Sequence, residues 1–166
     1  LTAEDIRRQG FRTVDEVLGS VPGLFSYPGR FPQVGVRGLG IIGDFSTRLL
    51  VLIDGHPLTN SVGADLGRGV PLPLPALARI EVIKGPVGSV YGPSAFFGVV
   101  NLVTTSGASG GEVWAGGELS EGQVSAWEGA ATWRGSLGPV AALLSTALYT
   151  SEGRDWSYPE LAERPG

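Results

Sequence analysis

The chain has 166 residues, a net charge of −4 and a single lysine, Lys84, so it offers no basic patch for a nucleic-acid partner. Hydrophobic residues make up 42% and charged residues 17%, a balance that argues against disorder. Cysteine is absent and His56 is the one histidine, so disulfides, thiolate sites and multi-imidazole metal sites are excluded, and no cofactor is expected.

Thr2-Ala3-Glu4-Asp5 fits a capping box and predicts a short helix to about Gln9, closed by Gly10. Thr13-Val14-Asp15-Glu16 repeats the device. Val14, Val17, Leu18 and Val21 then lie on one apolar face of a second short helix, ended by Pro22-Gly23. Gln33 to Val36 reads as a strand running into Arg37-Gly38. Leu49 to Ile53 is an uninterrupted apolar run between Arg48 and the turn pair Asp54-Gly55, as suits a strand buried on both faces. Asp54 is expected to accept backbone donors in that turn.

Residues 58–73 read as a loop, and a one-turn helix is expected around Pro75 to Ala78. From Arg79 the chain alternates as a strand, Ile80, Val82 and Lys84 against Arg79, Glu81 and Ile83, until Gly85-Pro86 stops it. Gly88, Tyr91-Gly92, Pro93 and Gly98 punctuate a compact loop that carries almost no charge. Val99 to Val103, around Asn101, restores a strand. Arg79 and Glu81 share a strand face and can pair with each other. Phe96 and Phe97 are expected to pack rather than to touch a ligand.

These strings resemble the plug domain of TonB-dependent outer-membrane receptors. The pattern R-x-E-V-x-(R/K)-G-P, then Y-G, then A-x-x-G-V-(I/V)-N-(I/L)-(V/I)-T spans residues 79–104. V-x-x-R-G falls on Val34 to Gly38, and V-L-(I/V)-D-G-x-P on Val51 to Pro57. The resemblance implies an α+β fold: a plug domain over residues 1–105, with a small mixed β-sheet and short helices, inside a transmembrane β-barrel. It implies structural roles for Gly38, Asp54, Gly55, Gly85, Pro86, Tyr91, Gly92 and Asn101. Arg37 and Lys84 fall on positions whose basic side chains meet barrel carboxylates in the family, with Arg79 and Glu81 as further plug–barrel contacts. Lys84 stands where arginine is usual and lacks its planar fork. Phe45, Asn60, Ser61 and Asp65 fall in the ligand-facing loops. The implied function is ligand-gated, energy-coupled import of a scarce nutrient such as a siderophore-iron chelate or cobalamin, with no enzymatic activity. The implied partners are TonB with ExbB and ExbD, an extracellular small ligand and outer-membrane lipid.

After Thr105 the pattern changes. Residues 106–111 read as a linker, and 113–119 and 126–133 as alternating strands separated by a turn at Glu121-Gly122. A second turn is expected at 135–139. Residues 140–150 are apolar on both parities; Thr146, Tyr149 and Thr150 favour a strand over a helix. Residues 151–166 read as a loop. Antiparallel strands of about ten residues suit the opening of a transmembrane barrel, which has no apolar helix to betray it. Trp114, Trp127 and Trp133 fit the membrane–water interface, with core packing or strand pairing as the competing role. Plugged barrels have about 22 strands, so residues 106–166 are expected to be an incomplete wall. The chain opens at Leu1 with no signal-like segment; members of the resembled family carry a TonB box before the first helix.

Three other readings are weaker. Gly38-Leu39-Gly40-Ile41-Ile42-Gly43 matches a dinucleotide fingerprint, with Asp65 beyond it, but the next element is a strand where a helix is required. Asp54 and His56 lack an accompanying nucleophile elbow. A soluble β-rich binding or adhesion module would explain residues 112–150 and leave 79–105 without a reason.

Overall fold

Two capping boxes start the fold. Thr2 Oγ1 accepts the Asp5 amide at 3.2 Å while the Asp5 carboxylate accepts the Thr2 amide at 2.9 Å, opening α1 (Ala3–Arg8). Thr13 and Glu16 do the same for α2 (Val14–Gly19). Val14, Val17 and Leu18 of α2 are buried, as the helical spacing predicts. The computed structural model describes residues 1–27, 33–38, 49–58, 72–92, 94–106, 109–120 and 123–151.

Strand β1 (Leu24–Tyr27), absent from the sequence reading, pairs antiparallel with β2 (Gln33–Val36). Gly35 leaves room for the Phe25 ring to lie across β2, because a Cβ there would fall 2.1 Å from its Cζ. The main sheet takes β3 (Leu49–Ile53), β4 (His56–Pro57), β5 (Leu77–Lys84) and β6 (Gly98–Thr104) in the order β4-β3-β6-β5. β3 and β6 run parallel and the other pairs antiparallel, so the sheet is mixed, as expected.

Both faces of its centre are covered. Leu49 and Val51 point with Val100, Leu102 and Ile80 into a core shared with α1, α2, β1 and β2. Leu50, Leu52 and Val99 pack on the other side around Ala95. That explains the unbroken apolar run at 49–53, since a strand buried on both faces has no solvent side to mark with polar residues.

A 3-10 turn (Leu74–Ala76) leads into β5, which starts two residues before Arg79 because Leu77 already pairs with Thr104. The loop expected after Gly85-Pro86 contains a single helical turn, α3 (Gly88–Tyr91). The third sheet consists of β7 (Gly110–Ser120), β8 (Gln123–Leu137) and β9 (Val140–Ser151), antiparallel in chain order. The stretch that periodicity left open between helix and strand is β9. The second turn is tighter than expected: pairing of Leu137 with Val140 confines it to Gly138-Pro139.

Gly98 sits where β6 presses on β5, and a Cβ there would lie 2.4 Å from the Ile83 carbonyl oxygen. Backbone cannot yield as a flexible side chain can. Gly98→Ala is expected to lower stability by roughly 1–3 kcal/mol. At Gly88 a Cβ meets nothing within 4 Å, and Gly88→Ala should leave stability intact. Urea unfolding followed by circular dichroism checks both.

Candidate functional site

The polar positions singled out in the sequence gather at two places. The first is the end of the parallel pair. Asp54 (φ 49°) and Gly55 (φ 80°) make the β3–β4 turn in the left-handed region, where aspartate and glycine are tolerated better than other residues. The Asp54 carboxylate accepts the Thr104 amide at 2.8 Å and the Thr104 hydroxyl at 2.7 Å, so the turn is bolted to β6. Beside it, Asn101 Oδ1 accepts the Gly55 amide at 3.0 Å and Asn101 Nδ2 donates to Glu81 at 3.0 Å. Arg79 Nε donates to the other oxygen of Glu81 at 2.7 Å. One exposed network therefore joins Arg79 and Glu81 of β5, Asn101 of β6 and Gly55 of the β3–β4 turn. His56 Nδ1 lies 3.1 Å from the Asp54 carbonyl oxygen, not from its carboxylate, so the two residues form no catalytic pair.

The second place is the rim around Gly38 and Gly85. Arg37 takes a positive φ of 52° and donates its amide to the Gly23 carbonyl at 2.7 Å, leaving its side chain exposed. Lys84 Nζ donates to the Pro22 carbonyl at 2.9 Å, beyond the end of α2. Gly85 (φ 125°) donates to Phe97 at 2.9 Å, and Val87 to Ala95 at 3.2 Å, closing the loop on itself. Tyr91 ends α3 and is partly exposed; Gly92 (φ 91°) turns the chain back toward buried Ala95. Phe97 packs on the main core, edge-on to Phe96, whose own ring is largely exposed. Phe45, Asn60, Ser61, Asp65, Pro93, residues 39–43 of the glycine motif, the Glu121-Gly122 turn and residues 152–166 lie outside the described residues.

A third contact region was missed by the sequence reading. Arg7 of α1 pairs with Glu112 of β7 at 3.1 Å, and the Arg12 guanidinium stands 5.9 Å from the centre of the Tyr149 ring on β9. Between them lies a cavity of about 420 Å³, lined by Ile6, Phe11, Leu74, Trp114, Ala130 and Ala147 among others. Trp114 thus faces the helices. Trp127 and Trp133 lie on the opposite face, exposed with Val113, Leu144 and Leu148. The inward face carries Glu112, Glu128 and the Thr132–Ser145 hydroxyl pair at 2.8 Å. The large apolar side chains of this sheet lie mostly outside, and the inward face mixes carboxylates and hydroxyls with Trp114, Ala130 and Ala147. The signal was present as parity: Glu112, Trp114 and Gly116 alternate with Val113, Ala115 and Gly117. Among the described residues, no group of three acidic, histidine or cysteine side chains could hold a metal ion.

Residues 1–99 match the family model of the TonB-dependent receptor plug domain. The chain belongs to that family. It is 32% identical over 158 residues to the iron-regulated outer membrane virulence protein of Vibrio cholerae serotype O1, covering 90% of this chain and 23% of that protein. Among solved structures it is similar to a mutant of the ferric enterobactin receptor PfeA from Pseudomonas aeruginosa in complex with enterobactin (TM-score 0.71, 23% identity, 94% of this chain and 25% of that one). It is also similar to the siderophore receptor PirA from Acinetobacter baumannii (TM-score 0.70, 22% identity, 93% and 24%). The chain spans about a quarter of the length of these relatives. The likeness extends past the plug: the short helices and mixed sheet match the plug, and the antiparallel strands match the start of a barrel that is not closed here. Nothing in these matches favours a soluble binding or adhesion module.

Hydrogen bonds from Asn101 and then Arg79 hold the Glu81 carboxyl below its usual value of 4.5. Its contribution to stability is therefore present above about pH 4.5 and lost as pH falls through the lower folded-state value. Glu81→Gln should flatten the acid side of the stability profile while changing the neutral side less. Urea midpoints across pH 3 to 7 measure it.

Proposed function

We propose that this chain is the gate and the first wall strands of an outer-membrane receptor that imports a scarce ferric chelate. Residues 1–105 form the plug and residues 106–166 begin the barrel. The ligand binds from outside against loops carrying Phe45, Asn60, Ser61 and Asp65. Arg37 and Lys84, at the rim, and Arg79 and Glu81, on the sheet face, meet wall residues as the barrel closes. TonB with ExbB and ExbD supplies the energy that displaces part of the plug. No bond is made or broken; the work is binding and mechanical release.

The observation that carries this reading is the polarity of β7–β9. A sheet that turns Val113, Trp127, Leu144 and Leu148 outward and Glu112 and Glu128 toward the plug suits a wall with lipid on one side and a polar lumen on the other. The iron-regulated relative in Vibrio cholerae and the similarity to siderophore receptors favour a ferric chelate over other scarce nutrients. The lumen contacts suit a part that has to be released. Exposed ion pairs such as Arg7–Glu112 contribute under about 1 kcal/mol each and exchange readily for water.

Deleting the full-length gene should abolish uptake of radiolabelled iron supplied as its siderophore complex, and collapsing the proton gradient should do the same. Uptake unchanged in both cases overturns the reading. The domain division has its own check. Residues 1–105 should stay soluble without detergent, whereas residues 1–166 should need it, because β7–β9 leave unpaired edges and an apolar face. Equal monomeric behaviour of the two in plain buffer counts against the barrel assignment.

A further inference from the structure

The register of β7–β9 lays three rows of residues across the face that meets the helices. Glu112, Thr132 and Ser145 stand opposite one another in the first row, Trp114, Ala130 and Ala147 in the second, and Gly116, Glu128 and Tyr149 in the third. An apolar row thus lies between two polar ones. It floors the cavity of about 420 Å³, whose other side is made by Ile6, Phe11 and Leu74. Four residues along β7 separate the first row from the third, so the shelf is about 13 Å long, and three strands make it about 10 Å wide.

The Trp114 ring lies along this shelf. A Cβ at Gly116 would fall 3.0 and 3.1 Å from Cζ2 and Cη2 of the indole, so the ring leans over a residue with no side chain. Glycine inside a strand often marks the close approach of a ligand or of another backbone. Ala130 and Ala147 keep the rest of the row low. Although turned toward the helices, Trp114 keeps 37% of its surface exposed, so the plug does not cover it. The volume falls within the roughly 300–1,000 Å³ of small-molecule pockets and well above the roughly 150 Å³ of an apolar cavity that takes up benzene.

Charges stand at the ends of the shelf and are engaged there. Arg7 pairs with Glu112 at 3.1 Å, and Arg12 pairs with Glu16 at 4.0 Å while its guanidinium stands 5.9 Å from the centre of the Tyr149 ring. An acidic molecule would find neither guanidinium free, and any charge held over the apolar row would be costly to bury.

We infer that this shelf binds a small, uncharged, planar aromatic molecule, stacked on Trp114 and covered by Phe11 and Leu74. Stacking suits the flat indole, and the low alanines leave room for the rest of the ring system. The molecule touches the wall strands and the plug at once, so it binds while the two are together and favours the seated plug over the displaced one. That consequence rests on the import reading above; the binding itself does not.

Equilibrium binding of 2-naphthol to the full-length receptor in lipid nanodiscs tests the site. One equivalent should bind saturably. Ala147→Phe fills the shelf from the wall side and Ala3→Phe from the plug side, since both residues line the cavity. Each should weaken binding at least ten-fold, with the fold retained by circular dichroism. Trp114→Ala should weaken it at least five-fold and Trp114→Phe less, whereas Trp127→Ala, on the outer face, should leave it unchanged. Uptake of the probe that does not saturate, or that is equal in all variants, is partition into lipid and overturns the proposal. Weakening by Ala147→Phe without weakening by Ala3→Phe overturns the bridging geometry. Neither readout involves transport, so failure here leaves the import reading standing, and failed iron uptake leaves the site standing.

Discussion

The parallel pairing of β3 with β6 is the constraint that organises the molecule. Parallel neighbours cannot be joined by a tight turn, so between Ile53 and Gly98 the chain passes from one edge of the sheet, β4, to the other, β5, before β6 pairs with β3. Everything between is consequence: the Asp54-Gly55 turn, the return through Leu74–Ala76, the edge strand β5 and the loop around α3. Val51 and Val100, paired in register and fully buried, form the centre of that arrangement. Burying a valine side chain contributes about 1.5–3 kcal/mol, so the pair outweighs any one polar contact around it. Asp54 then sets where the turn stops, by holding Thr104 with two bonds.

The molecule joins two sheets built on opposite solvent rules. In the mixed sheet, apolar residues face inward against α1 and α2, and the polar network of Arg79, Glu81 and Asn101 faces water. In β7–β9 most large apolar residues, Trp114 excepted, face away from the helices, and hydroxyls and carboxylates face toward them. The seam between the sheets holds an exposed ion pair and an arginine over a tyrosine ring. Such contacts contribute about 0.5–1 kcal/mol each at exposed sites. The described seam is thus far weaker than the plug's own core, and parting these strands from the helices costs less than unfolding what they enclose.

Much of this was legible in the residues. Both capping boxes, the doubly buried strand at 49–53 and the Asp54 turn follow from short-range rules and stand where the sequence places them, and the strand expected from Arg79 is present but begins two residues earlier, at Leu77. Strand β1 escaped because Leu-Phe-Ser-Tyr is too short to show a period; it exists because β2 and Gly35 give it a partner. Helix α3 escaped because no side chain caps it and glycine opens it, so only the closed loop holds it. Of the site residues, Gly55, Asn101, Arg79 and Glu81 meet in one network, beside the Asp54–Thr104 bonds, that strand spacing alone could suggest only pairwise. The Arg7–Glu112 contact joins residues 105 positions apart, and no local pattern announces it.

Only five residues, 105–109, separate the end of β6 from the start of β7. Drawn straight, they reach roughly 20 Å. The mixed sheet is thus on a leash fixed at its own last central strand, whose Val99 and Val100 are buried. Any displacement of the mixed sheet from β7 stays within the length of that leash, because moving farther would first require tearing out β6.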